Sequence, residues 1–104
     1  MQTVKSIEGF DIRLTDERWQ HISTSHPEMT EYYFEILETI VTPEIIYEGN
    51  NKEFIAVRQV KETDKYFVVV YKTEHSNSGF IITAFIINRT SYLHKKKIIW
   101  QPQS

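Results

Sequence analysis

The run Phe80-Ile81-Ile82-Thr83-Ala84-Phe85-Ile86-Ile87-Asn88-Arg89 constrains the fold more than any other segment of the chain. From Phe80 to Ile87 an extended backbone carries apolar or small residues on both sides, so a strand here has no polar face to give to water. A strand this rich in β-branched and aromatic residues belongs in the middle of a sheet. Its one hydroxyl, Thr83, is either a β-branched filler or a group aimed into a site. Arg89 stands at its exit.

With 104 residues the chain suffices for one domain spanning 1–104 and not for two. Hydrophobic residues at 40% and charged residues at 25% are ordinary for a folded domain, which excludes a disordered or fibrous chain. No apolar run approaches the roughly 20 residues of a membrane-crossing helix. Met1-Gln2-Thr3-Val4-Lys5-Ser6-Ile7-Glu8 lacks the apolar core of a signal peptide, so a cytoplasmic location is expected. Zero cysteines exclude disulfides, thiolate-ligated zinc and a thiol nucleophile. The net charge of −2 conceals a split. Residues 1–53 hold eleven acids against four Lys or Arg, giving −7, and residues 54–104 hold three acids against eight bases, giving +5. That asymmetry fits either a basic face for an anionic ligand or a solvated surface with no partner.

Phe10–Leu14 reads as a short strand. Thr15 then caps a helix whose first residues, Asp16 and Glu17, suit the positive end of the helix dipole. The helix ends near Ser25, because the residue before Pro27 avoids helical angles. A second helix is expected from a Thr30 cap, with Tyr33, Ile36, Leu37, Ile40 and Val41 on one stripe and Pro43 as its stop. Four strands follow at Glu44–Tyr47, Phe54–Val60, Tyr66–Lys72 and Gly79–Asn88, joined by short connections that include Thr73–Ser78. Short connections make an antiparallel meander. The expected fold is therefore α+β, with two N-terminal helices packed on one face of a four- to five-stranded antiparallel meander sheet and the other face partly open. The tail from Tyr92 to Trp100, with Lys95-Lys96-Lys97, forms a last strand or helix at the edge.

Candidate chemistry gathers around these elements. His21 shares a helix face with Arg18 at i, i+3 spacing, while Trp19 and Ile22 point to the core. His26 faces the negative end of the same helix and is either a helix-stop residue or a functional imidazole. Five residues separate the two histidines, about 140° around a helix, with no carboxylate at zinc-binding spacing, so no metal site is expected. Lys72 ends its strand beside Tyr71, and Arg58 lies inside another. A charge within a strand must face an open or ligand-lined surface, since burying it unpaired is costly. Arg58 alternates with Phe54, Ala56 and Val60, and Lys72 with Tyr66, Val68 and Val70; register between the strands is not fixed by sequence. Arg58 is either a phosphate ligand or an edge charge that blocks aggregation. Two histidines as base and acid, with cations to stabilise a phosphorane, fit metal-independent RNA cleavage.

Three motifs, Arg18-Trp19-Gln20-His21-Ile22 with His26-Pro27, then Tyr66-Phe67-Val68-Val69-Val70-Tyr71-Lys72, then Phe80-Ile81-Ile82-Thr83-Ala84-Phe85, resemble the small toxin ribonucleases of the barnase–EndoU–colicin–RelE-like (BECR) fold. The phage-associated and BrnT-like branches are the most similar. The resemblance spans residues 10 to about 90. It implies a toxin-type endoribonuclease without cofactors, acting on RNA and neutralised by a small protein antitoxin. Carried over, His21 is the preferred base or acid with His26 second, Lys72 and Arg58 bind phosphate, and Thr83 hydrogen-bonds the scissile group. Arg18, Tyr71 and Arg89 complete the expected substrate contacts. Where BrnT-like toxins place an arginine after the Ser-Ala pair, this chain has Phe85, with Arg89 the substitute. Two other readings stand beside it: an RNA- or protein-binding module that does not cleave, and a structural or antitoxin-like subunit.

Overall fold

The computed structural model describes residues 1–75 and 77–103. Strand β6 (Ser78–Ile87) lies inside the sheet, as its composition requires. Strand β5 (Tyr66–His75) pairs with it antiparallel along its length, and β2 (Asp11–Leu14) pairs with its first residues in parallel. Further out on one side is β1 (Gln2–Lys5), antiparallel to β2. On the other side follow β4 (Phe54–Gln59), β3 (Ile45–Glu48) and β7 (Ile98–Trp100).

The class is α+β, but the expected sheet is corrected. It has seven strands in the order β1-β2-β6-β5-β4-β3-β7 and is mixed, not a four- to five-stranded antiparallel meander. The meander β3–β4–β5–β6 is present within it. The additions come from contacts that local pattern does not carry. The parallel β2–β6 ladder joins Ile12 to Gly79 across most of the chain, and β1 is a largely exposed edge with Val4 as its one half-buried apolar residue.

Helix α1 (Asp16–Ser25) begins as its sequence dictates, with the Thr15 hydroxyl accepting from the Arg18 amide at 3.1 Å. Helix α2 (Tyr33–Val41) does not start at Thr30. Thr30 lies in a short 3-10 turn, Pro27–Glu31, where its hydroxyl donates to the Pro27 carbonyl at 2.6 Å and so caps no amide. Ile36, Leu37 and Ile40 of α2 are buried, while Val41 is exposed, beyond the edge of the stripe. Of the expected Thr73–Ser78 connection, Ser76 lies outside the described residues, and the rest is mostly strand. No helix among the described residues is long and apolar enough to cross a membrane.

Both helices cover one face of the sheet, where Ile12, Leu14, Ile46, Ala56, Phe67, Val69, Tyr71, Ile81 and Ala84 meet Ile22, Ile36 and Ile40. The opposite face is less open than expected. Tyr47, Ile55, Val57 and Val68 form a second cluster there, and Leu93, from a turn at Ser91–Leu93, is fully buried against it.

One irregularity in β6 decides what this second face presents. Val70 stands opposite Thr83 but Tyr71 opposite Ile81, so Ile82 is an extra residue, a β-bulge. Strict alternation would put Phe80 and Thr83 on opposite faces. With the bulge, Ile81 and Ala84 both face the helices, while Phe80, Thr83 and Phe85 all look out on the second face.

Candidate functional site

Phe80 is the centre of the arrangement. Its pairing partner on β2 is Arg13 and its partner on β5 is Lys72, so a cation flanks the ring from each neighbouring strand. The Arg13 guanidinium lies over the ring, 5.7 Å from its centroid. Arg13 is itself fixed: it donates to the Gly79 carbonyl at 3.1 Å and pairs with the Glu74 carboxylate. A second irregularity in β5, between Thr73 and His75, makes Glu74 the unpaired residue there. Gly79 allows the strands this approach, since a Cβ at that position would run into the Lys72 carbonyl.

Helix α1 starts two residues after β2 ends, so its first turn stands at the same spot. Thr15, Glu17 and Arg18 line, with Arg13 and Phe80, a recess of about 310 Å³. At the other end of the helix the His26 ring lies 5.5 Å from the ring of Phe85. Helix and strand therefore run side by side: eight residues of helical rise from Arg18 to His26 make about 12 Å, and the strand from Phe80 to Phe85 makes about 16 Å before the bulge shortens it. Thr83 is half-buried. On the helix surface Arg18 lies about 40° from buried Ile22, and His21 about 60° beyond it on the same side. Arg18 and His26 thus meet the strand at Phe80 and Phe85, flanking buried Ile22, with Thr83 between the two phenylalanines; His21 lies farther round the helix, about 140° from His26 and exposed. Lys72 flanks this band. The Lys72 charge is also felt by Glu53, whose carboxyl is held below the usual range chiefly by the Asn51 amide that donates to it, with a smaller pull from Lys72 and Lys96.

Other predicted residues lie elsewhere. Tyr71 is fully buried on the helix side, stacked on Phe54 at 5.1 Å between centroids, with its hydroxyl donating to Glu8 at 3.2 Å. Burial, then the Glu8 charge and hydrogen bond, push its pKa far above the ordinary value, and no ligand reaches it. Arg58 is also on the helix side, where it donates to the Thr42 carbonyl at 2.6 Å and to the Thr42 hydroxyl at 3.1 Å. It sits 3.8 Å from Glu38 and lines a different cleft, of about 750 Å³, with Tyr32, Glu35 and Glu44. Arg58 and Lys72 thus stand on opposite faces. Arg89 is exposed in the connection after β6, beyond the Phe85 end of the band. His26 has Glu28 at 3.7 Å from its Nδ1.

Arg13 and Phe80 escaped the sequence reading. The available signal was Ile12-Arg13-Leu14: an arginine between two buried residues on one short strand must point to the other face. Nothing local says that Phe80 will be its neighbour. Among the described residues no group of three or more His, Asp or Glu is placed to share a metal ion. Comparison with protein-family models, curated proteins and solved structures gives no match for this chain.

Proposed function

We propose that this protein is a metal-independent endoribonuclease of toxin type, as its resemblance to the BECR ribonucleases implies. The observation that carries the reading is the bulge at Ile82, which turns Thr83 onto the face of Phe80 and Lys72, alongside the helix that bears Arg18, His21 and His26. In the proposed reaction His21 takes the proton of a ribose 2′-OH, and that oxygen attacks the adjacent phosphorus. The bond to the departing 5′-oxygen breaks, His26 protonates that oxygen, and a 2′,3′-cyclic phosphate remains. Thr83 donates a hydrogen bond to a non-bridging oxygen, while Arg18 and Lys72 offset the charge of the phosphorane. DNA, which lacks the 2′-OH, is inert. A small protein antitoxin is the proposed partner.

Incubation of purified protein with total RNA in EDTA, followed by mapping of the new ends, tests this reading. Cyclic phosphates are expected, with a loss of about 10²–10⁴-fold for His21→Ala. A His21→Ala variant as active as the parent removes His21 from the mechanism. A second reading, RNA or protein binding without cleavage, is favoured by the Arg13–Glu74 pair, which already neutralises one cation of the face. Intact RNA with a gel shift would select it.

A further inference from the structure

We infer that the recess between α1, β2 and β6 seats one unpaired nucleotide, its base stacked on the Phe80–Arg13 platform and its phosphate between Arg18 and Lys72, so that the substrate is single-stranded. The inference rests on the proposed reading of the band as an RNA-cleaving face and adds to it the form of RNA accepted.

Phe80 is a half-buried aromatic ring at the recess, with a cation on each neighbouring strand, the combination that holds single-stranded nucleic acid by stacking and charge. Arg13 differs from the other cations. Its guanidinium is committed to Glu74 and to the Gly79 carbonyl, so its charge is met and the group is held over the ring. It therefore serves as part of a platform and not as a phosphate clamp. Arg18 and Lys72 make no ion pair among the described residues, which leaves both for phosphate.

Glu17 argues against a bare anion in the recess, because its carboxylate repels one. The edge of a base, by contrast, offers N–H groups that a carboxylate accepts. The volume, about 310 Å³, lies at the small end of ligand sites and suits one nucleotide. A base inside a duplex is stacked on both sides and has no free face for Phe80, whereas an unpaired base has one. The recess also lies on the same face as Thr83, so its occupant neighbours the bond proposed to be cut.

Fluorescence anisotropy with a 2′-O-methyl RNA 12-mer tests this, as single strand and as duplex, because the methyl group removes the nucleophile and isolates binding from cleavage. The single strand should bind at least about 10-fold tighter than the duplex, and Phe80→Leu should weaken it by about 10-fold or more. Arg18→Gln, a polar exchange at a half-buried helix position, should lower the slope of log affinity against log salt by about 0.7. Equal binding of both forms, no binding by the parent, or a folded Phe80→Leu protein that binds like the parent overturns the inference. Should Phe80→Leu fail to fold, an unchanged salt slope in Arg18→Gln overturns it instead. Tight Phe80-dependent binding with no cleavage of ordinary RNA upholds the recess and sinks the nuclease reading; cleavage with Phe80-independent binding does the reverse.

Discussion

Tyr71 shows how one side chain can be legible in kind and misleading in place. Lys72 beside it suggests a ligand contact, yet alternation along β5 already separates the two, with Tyr71 alongside Phe67 and Val69 on the helix side. The turn between β1 and β2, with Gly9 at a φ of +91°, brings Glu8 to its hydroxyl. A folded-state pKa raised from an ordinary 10.0 means that the unfolded chain gives up this proton first as pH rises. Tyr71 thus contributes stability that is full below about pH 10 and declines above it, by about 1.4 kcal/mol per pH unit. Urea titrations from pH 9 to 11 should show this loss in the parent and its absence in Tyr71→Phe. At neutral pH the Phe variant should be only about 1 kcal/mol less stable, the ordinary worth of a hydrogen bond.

Among the elements, α1 was readable almost residue by residue, because its cap, its acidic first turn and the proline after it are all local. α2 shows the limit of the same reasoning. Thr30 has the chemistry of a cap, but the 3-10 turn after Pro27 spends its hydroxyl on a carbonyl. The end of α2 is secured from the sheet, since Arg58 on β4 donates to Thr42 just past the helix, where a cation also meets the negative end of the dipole. An arginine in a strand suggests a ligand contact by itself; only the register shows that a helix end takes it. Arg58→Gln should cost about 1 kcal/mol in chemical denaturation, the half-exposed setting limiting the loss. Cleavage of RNA by that variant should match the parent, and a collapse in cleavage at unchanged stability would return Arg58 to the reacting site.

Over the whole molecule, the helices cover one face of the sheet, and the lysine-rich tail covers part of the other through Leu93. Leu93 reaches full burial from a turn of three residues, in a stretch expected only to add a last strand or helix at the edge. Leu93→Ala should destabilise the fold by about 2–4 kcal/mol, as a truncation in a core does. A change in urea midpoint worth less than about 1 kcal/mol would show that the tail is peripheral. The charge split acts at this scale as well. The acid-rich first half and the base-rich second half contribute strands to one sheet, so Glu17 of the first and Lys72 of the second meet around the same ring.

The sequence by itself determined the α+β class, the central position of β6, the start and stop of α1 and the four-strand meander, because each follows from periodicity, capping or turn chemistry within a few residues. Tertiary structure alone decided the parallel joining of β2 to β6, the addition of β1, the choice of strand over helix for the edge segment at β7, and the bulge that brings Phe80 and Thr83 to one face. Those features depend on the pairing of segments as much as 67 residues apart, as Arg13 with Phe80. A strand apolar on both sides carries no contrast between its faces to mark where its alternation slips.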